Sequence, residues 1–280
     1  MRTVETVLDL REQVRAWRMS EQKIALVPTM GNLHAGHLAL VKRARELADK
    51  TIVSIFVNPT QFVEGEDFGS YPRTPERDYE HLLELKTDLV FAPPTEEMYP
   101  GGENDETIVT VPALDRIFCG KFRPGHFTGV ATIVTKLLNM VQPDLAMFGE
   151  KDYQQLLVIR SLVKDLCLPV EIVDVETVRE PDGLALSSRN AYLSKEERKT
   201  AVVLYRQLAE TADKIREGEK DYPALEIAGL ERLNAEGFQM DYFNIRNAGD
   251  LGPPGDGDLV VLAAGYLGQA RLIDNMIIRR

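Results

Sequence analysis

The chain is short of cysteine and of positive charge, and each shortage narrows the classes of protein it can belong to. Only Cys119 and Cys167 occur in 280 residues. We interpret both as reduced thiols rather than as a disulfide framework. The amino terminus has the pattern of an amphipathic helix with charges throughout, not the apolar core of a signal peptide. We therefore expect a cytoplasmic protein.

Basic residues are outnumbered, with 33 Lys and Arg against 44 Asp and Glu and a net charge of −11. No Lys/Arg cluster of the kind that follows a nucleic-acid backbone is present, so we expect no nucleic-acid partner. No apolar run approaches the roughly 20 residues needed to cross a bilayer, so we expect no membrane partner. An acidic protein that binds an anionic nucleotide must concentrate its few cations locally, and particular Lys and Arg residues should therefore matter.

The first 176 residues alternate between short apolar segments and helical patterns. With 44% hydrophobic and 28% charged residues, the chain has the composition of an ordinary globular protein. The alternation predicts a Rossmann-like parallel-sheet domain at residues 1–176, and Thr107–Val111 is expected as an edge strand. The predicted parallel strands are Ile24–Val27, Thr51–Val57, Asp88–Ala92, Asp144–Phe148 and Val170–Val175.

The pattern changes after residue 176. Ser194–Glu197 has the sequence of a capped helix start, and a second helix fits Tyr222–Ala235. Three further segments, 239–245, 258–266 and 270–277, predict an antiparallel sheet with short connections. We therefore expect an α/β protein whose second domain, residues 177–280, is a smaller α+β domain with a three-stranded antiparallel sheet covering the site.

The stretch that organises the chain is Ile24–Leu40, IALVPTMGNLHAGHLAL. It predicts a buried strand, a tight glycine-containing turn and a helix, which places a helix N-terminus at the carboxyl end of a sheet. Backbone N–H groups and the helix dipole favour a phosphate there. His34 and His37 lie in this turn at a spacing that points both rings the same way. A metal pair would need a third ligand, and histidines that only cap the turn remain an alternative.

The H-A-G-H pattern after an apolar strand resembles the HxGH signature of the nucleotidyltransferase superfamily. In that superfamily the histidines contact the triphosphate and stabilise charge as pyrophosphate leaves. The signature indicates a chemistry but does not select a substrate.

Polar residues also follow other predicted strands. Asn58 and Gln61 stand at the end of the second strand, where parallel sheets bind ligands, although such residues also cap turns. Lys151 lies at a second strand–glycine–helix junction, where a lysine would meet phosphate. We interpret the segment Val63–Arg77 as a lid. His126 is equally compatible with a structural and a functional role.

Six motifs in order resemble the pantothenate synthetase (pantoate–β-alanine ligase) family: PTMGNLHAGH (28–37), FVNPTQF (56–62), YPRT (71–74), RPGHF (123–127), FGEKDYQQL (148–156) and DGLALSSRNAYLS (182–194). The resemblance implies a two-step ligation. Pantoate and Mg-ATP form pantoyl adenylate and pyrophosphate, and β-alanine then attacks to give pantothenate and AMP. One departure is Leu186, where the family often carries methionine.

The resemblance also implies roles for individual residues. His34, His37 and Lys151 would be catalytic, Gln61 and Gln155 would bind pantoate, and Gln61 would also lie near β-alanine. Mg²⁺ should enter with ATP, with Asp78 as a supporting carboxylate, and the family is usually a homodimer. The implied ATP-binding residues are Met30, Gly31, Asn32, Leu33, His34, Ala35, Gly36, His37, Gly149, Glu150, Lys151, Asp152, Val178, Leu186, Ser187, Ser188 and Arg189.

Two other classes of function stay open on the sequence. A different nucleotidyltransferase would favour Arg or Lys where this chain has Gln61 and Gln155. A catalytically silent nucleotide-binding protein would not need the intact histidines and Lys151.

Overall fold

The alternation of strands and helices predicted for the first part of the chain is present in the structure, a computed structural model that describes residues 1–102 and 106–280. The chain divides into two units. The first comprises Met1–Glu150 with Val158–Glu176, and the second comprises Lys151–Leu157 with Thr177–Arg280. The short segment Lys151–Leu157 thus belongs to the same unit as Thr177–Arg280, although residues 158–176 separate the two in the sequence.

The first unit contains a six-stranded sheet in which every paired neighbour is parallel, in the order β1-β4-β3-β2-β5-β6. This confirms the predicted Rossmann-like fold class. The central strands are buried on both faces, which is why they read as continuous apolar runs in the sequence. The strands are Arg2–Val4 (β1), Ile24–Thr29 (β2), Lys50–Ile55 (β3), Leu89–Phe91 (β4), Leu145–Gly149 (β5) and Glu171–Val175 (β6).

Two local predictions in this unit are wrong. The amino terminus was expected to be helical throughout, but Arg2–Val4 pairs with β4 before the helix begins. Thr107–Val111 is not a strand. The N–H of Val109 donates instead to the Thr132 hydroxyl at 2.9 Å, so a side chain takes the place of a strand partner.

Helices cover the sheet and contribute apolar side chains to one core with it. Val27 and Val53 of the sheet pack in the same buried cluster as Val41 and Leu82 from two helices, and removal of this apolar surface from water drives the packing. The helices are Val7–Met19 (α1), Ala35–Leu47 (α2), Pro75–Glu84 (α3), Thr95–Met98 (α4), Pro112–Asp115 (α5), Phe118–Phe122 (α6), His126–Val141 (α7) and Tyr153–Asp165 (α8), the last divided between the units.

Strand β2 lies where the direction of the strand order reverses. Its neighbours are β3 on one side and β5 on the other, and all three run parallel. In open parallel sheets the crevice for a ligand lies outside the carboxyl ends of the strands at such a reversal. The residues that follow Thr29 therefore occupy the position at which this fold class binds ligands.

The second unit contains the predicted three-stranded antiparallel sheet, in the order β7-β8-β9. Two helices pack on it, and the first begins at the predicted capping box, in which Ser194 and Glu197 each accept a hydrogen bond from the other's N–H. Phe243 and Leu208 are fully buried in its core. The elements are Lys195–Arg216 (α9), Tyr222–Ala235 (α10), Gln239–Asn247 (β7), Leu259–Leu267 (β8) and Ala270–Ile278 (β9).

Gly129 permits helix α7 to pack directly against the chain that follows β3. A Cβ at this position would lie 2.3 Å from the carbonyl oxygen of Thr60 and 2.7 Å from the backbone nitrogen of Gln61. Backbone atoms cannot move aside as a flexible side chain can. We therefore expect Gly129→Ala to lower the free energy of unfolding by about 1–3 kcal/mol, measured by urea denaturation.

Gly69→Ala is the matched control, because a Cβ there would meet nothing within 4 Å. Equal stability of the two variants would contradict the close packing of α7 on this segment.

Candidate active site

The turn after β2 is held in a left-handed conformation. Gly31 has φ +77° and Asn32 has φ 49°. A side chain at Gly31 would approach Asp78 Oδ2 to 3.0 Å, so the position suits glycine for space as well as for φ. The Thr29 hydroxyl fixes the entry to the turn, since it donates to Ser54 O at 2.8 Å and accepts from the N–H of Gly31 at 3.2 Å.

Asp78 of α3 holds the same turn from the other side. Its carboxylate accepts from the N–H groups of Asn32 and Leu33, both at 2.8 Å, and from the Thr74 hydroxyl at 3.1 Å. The residue is 1% exposed. Both oxygens of Asp78 thus accept hydrogen bonds from the protein, and the expected role of Asp78 in supporting a metal stays a prediction. Among residues 1–102 and 106–280, no group of three His, Cys, Asp or Glu residues could hold a metal ion.

His34 and His37 lie at the first turn of α2 with their ring centroids 4.1 Å apart. Nδ1 of His34 accepts from the N–H of Gly36 at 3.2 Å, and Nδ1 of His37 accepts from the N–H of His34 at 3.4 Å. A backbone N–H can only donate, so neither Nδ1 carries a hydrogen. Each neutral ring therefore has its hydrogen on Nε2.

The histidines thus do cap the helix, as the alternative interpretation proposed, and they do so through Nδ1. Capping and ligand binding use different ring atoms. Two Nε2–H donors at a helix N-terminus are suited to phosphate oxygens, which accept but do not donate.

The side chain of Asn58 sets the orientation of the Gln61 amide. Asn58 Nδ2 approaches the carbonyl oxygen of Gly129 at 3.3 Å, and a carbonyl can only accept, which identifies Nδ2 as the nitrogen. The same Nδ2 donates to Gln61 Oε1 at 3.2 Å. Nε2 of Gln61 consequently faces the opposite way, and it lies 3.0 Å from the sulfur of Met30.

A buried tyrosine completes this chain of hydrogen bonds. The hydroxyl of Tyr99 donates to Asn58 Oδ1 at 2.6 Å, and Tyr99 is 3% exposed. Gln61 therefore presents N–H donors beside Met30, at the turn that carries the histidines. Sequence reasoning noted Asn58 and Gln61 but missed Tyr99, whose role depends on a contact across 41 residues.

Lys151 and Gln155 belong to the second unit. The backbone carbonyl of Lys151 accepts from Asn275 Nδ2 at 2.9 Å, and the Lys151 ammonium lies 3.9 Å from Asp152 Oδ1. Asn275 is 5% exposed and follows Asp274, which forms a two-bond ion pair with Arg179. Gly149 and Glu150, also predicted to bind ATP, belong to the first unit.

The segment after β6 folds back on itself and brings several predicted residues together. The N–H of Leu186 donates to the carbonyl of Val178 at 3.0 Å, next to an antiparallel bridge between Arg179 and Ala185. The Ser187 hydroxyl accepts from the N–H of Arg189. The hydroxyl oxygen of Ser188 is buried with no hydrogen-bond partner among the described residues, and such an atom gains free energy from a ligand that supplies one.

A salt bridge anchors the loop that leads into this segment. Arg198 of α9 donates to both oxygens of Asp182, at 2.8 and 3.2 Å. This hydrogen bonding, with a further bond from the N–H of Leu184, lowers the pKa of the Asp182 carboxyl below its ordinary value, against the opposing effect of burial. The loop is therefore held by an ionised carboxylate at neutral pH.

The chain is similar over its whole length to known ligases. A family model described as pantoate-beta-alanine ligase matches residues 2–277. The pantothenate synthetase of Azotobacter vinelandii is 56% identical over 278 residues, which cover 99% of this chain and 98% of the relative. The crystal structure of pantothenate synthetase from Thermus thermophilus superposes with a TM-score of 0.93 at 48% identity and full coverage of both chains.

A further solved structure carries ligands. The pantoate-beta-alanine ligase of Francisella tularensis, complexed with β,γ ATP and β-alanine, has a TM-score of 0.80 and 34% identity, over 99% of this chain and 97% of that one. Within the described residues, no helix is both long and apolar enough to cross a membrane.

The geometry around Asp78 predicts a stabilising role that needs no metal. Asp78→Asn replaces one acceptor oxygen with an NH₂ group that cannot accept from the backbone. We expect the free energy of unfolding to fall by about 1–3 kcal/mol, measured with Mg²⁺ and ATP both absent.

Glu80→Gln, at an exposed position of the same helix, serves as the control and should leave stability unchanged. If Asp78→Asn kept full stability and altered only the dependence of activity on Mg²⁺, a metal-supporting role would be correct instead.

Proposed function

Because the chain belongs to the pantoate-beta-alanine ligase family, it is an ATP-dependent ligase of pantoate and β-alanine, and we propose that it works through a pantoyl-adenylate intermediate. In the first step a pantoate carboxylate oxygen attacks the α-phosphorus of ATP and the bond to pyrophosphate breaks. In the second step the amine of β-alanine attacks the acyl carbon, loses a proton and releases AMP. The product is pantothenate.

The observation that carries this route is the contact between Gln61 and Met30. It places the amide assigned to pantoate against the first residue of the turn assigned to ATP, with 3.0 Å between Nε2 and the sulfur. A carboxylate bound by Gln61 would thus lie beside the phosphate-binding turn. In-line attack on a phosphate needs this kind of proximity.

The first step requires positioning and charge neutralisation rather than a base. A carboxylate is already ionised at neutral pH. Negative charge develops on the leaving pyrophosphate, and preorganised donors at that position lower the barrier. We assign this role to the Nε2–H groups of His34 and His37, because their Nδ1 atoms are already held by the backbone.

The second unit supplies its own set of ligands in this proposal. Lys151 would contact both the phosphates of ATP and the adenylate intermediate. The hydroxyl oxygen of Ser188, which lacks a hydrogen-bond partner within the described ranges, supports phosphate binding there. Gln155 would bind pantoate. The remaining assignments are adenosine for Gly149, Asp152, Val178 and Leu186, and the β- and γ-phosphates for Ser187, Ser188 and Arg189.

Gln61 is suited to both substrates that it is assigned. Its N–H groups are fixed as donors by Asn58, and the carboxylates of pantoate and β-alanine both accept hydrogen bonds. A substrate that presented only donors at this position would leave the amide unpaired, which disfavours its binding.

We assign Mg²⁺ to the ATP phosphates rather than to a preformed protein site. Mg²⁺ keeps several waters and commonly binds through substrate phosphates, and the described ranges offer no cluster of three metal-binding side chains.

We also propose a homodimer, as the resemblance implies. The free thiols of Cys119 and Cys167 suit the reducing cytoplasm.

The adenylate route predicts a partial reaction. With pantoate present and β-alanine absent, the protein should exchange labelled pyrophosphate into ATP, because the first step is reversible and the intermediate is retained. Omission of pantoate is the control. Exchange that runs without pantoate, or that never appears, would contradict the proposed intermediate.

A second pair of variants tests the charge-stabilising groups. His37→Asn keeps an acceptor near the position of Nδ1 for the cap and removes the Nε2–H donor, while Lys151→Ala leaves the backbone held by Asn275. Each should lower kcat by about 10²–10³ with an unchanged thermal unfolding midpoint. Lys164→Ala, at an exposed lysine of α8, is the control. Normal turnover in either variant would remove that residue from the catalytic group.

A further inference from the structure

A buried arginine, its partly buried carboxylate partner and a buried histidine connect to the main chain of Gln61. Arg123 is 8% exposed and donates through Nε and Nη2 to the two oxygens of Glu66, at 2.5 and 2.6 Å. Its Nη1 lies 2.8 Å from Nε2 of His126, and Nδ1 of His126 lies 2.7 Å from the carbonyl oxygen of Gln61. One continuous path of hydrogen bonds thus runs from Glu66 to the main chain of Gln61.

The two ends of this path determine the hydrogens on His126. A guanidinium can only donate, so Nε2 must accept and carries no hydrogen. A carbonyl oxygen can only accept, so Nδ1 must donate. His126 is therefore a neutral ring with its hydrogen on Nδ1, opposite to the arrangement at His34 and His37.

The main chain of Gln61 lies at the end of a short turn. Gln61 ends a three-residue 3₁₀ turn, Pro59–Gln61, whose N-cap residue makes no side-chain cap. The side chain of Gln61 is oriented by Asn58, but its carbonyl points toward α7 and is held by His126. Small shifts of this carbonyl would move the amide with it.

We propose that His126 is a positioning residue of the pantoate site, which acts by holding the main chain of Gln61 while Arg123 and Glu66 hold its ring. The inference rests on the proposed assignment of Gln61 to pantoate. Because Glu66 neutralises Arg123, the group braces the amide without offering a cation to the substrate. Glu66 also lies in the segment Val63–Arg77 interpreted as a lid, so the position of that segment is tied to the position of Gln61.

Two substitutions of His126 separate the two halves of the path. His126→Asn places an amide nitrogen near the position of Nδ1, where it can donate to Gln61 O, and loses the bond to Arg123. His126→Gln reaches the position of Nε2, where it can accept from Arg123, and loses the bond to Gln61. Both variants keep an uncharged polar side chain at the buried site, and glutamine is close to histidine in size.

The measurement is pantoate-dependent exchange of pyrophosphate into ATP, with KM determined separately for pantoate and for ATP. We expect His126→Gln to raise the KM for pantoate about tenfold, the effect of one lost positioned hydrogen bond, with the KM for ATP unchanged. His126→Asn should stay close to the wild type. Equal effects of the two variants, or equal shifts in both KM values, would overturn the positioning role.

Glu66→Gln provides a test that does not alter the histidine. Loss of the charged partner of Arg123 should raise the KM for pantoate in the same direction but less, and the double variant Glu66→Gln/His126→Gln should be no worse than His126→Gln alone. Additive effects would mean that Glu66 does not act through His126. Wild-type exchange that did not depend on pantoate would contradict the proposed function rather than this inference.

Discussion

The hydrogen bonds from the turn after β2 to Asp78 are the interaction on which the site depends. The sheet brings this turn to the point where the strand order reverses, but the left-handed backbone at Gly31 and Asn32 leaves N–H groups without partners in the sheet. A buried carboxylate satisfies two of them at once. Helix α2 can then begin after its N-cap residue His34, with the N–H groups of His34 and Gly36 donating to the two histidine rings, so that Asp78 fixes the turn that carries the rings.

In each unit, a hydrogen bond from a buried side chain holds the backbone of a residue that is proposed to bind substrate. A buried side chain donates to the main-chain carbonyl, from His126 to Gln61 in the first unit and from Asn275 to Lys151 in the second. In each unit an arginine that contacts the donor residue is also paired through two bonds with a carboxylate. A carbonyl held in this way frees the side chain of the same residue for a substrate, because the backbone is already fixed.

The sequence was informative where a property is local. Apolar runs and helical periodicity predict the parallel sheet and the antiparallel sheet. The capping box at Ser194 is predicted by the local sequence Ser194–Glu197. The strand Arg2–Val4 could not be predicted because three residues are too short to show a period. Thr107–Val111 was wrongly predicted as a strand, since the N–H of Val109 donates to the hydroxyl of Thr132 rather than to a neighbouring strand. The groups that brace the site, such as Tyr99 and Asn275, could not be predicted, since their partners are distant in the chain and only the fold selects them.

The buried arginine explains how the first unit can be rigid near the proposed pantoate site without placing a positive charge there. A carboxylate that attacks phosphorus loses negative charge as the new bond forms, so a direct arginine would stabilise the ground state more than the transition state. Arg123 is instead paired with Glu66 through two bonds and reaches Gln61 only through a neutral His126. In the proposed site the substrate carboxylate then meets the amide donors of Gln61. The same proposal assigns Lys151 to the phosphates, where negative charge increases as pyrophosphate departs.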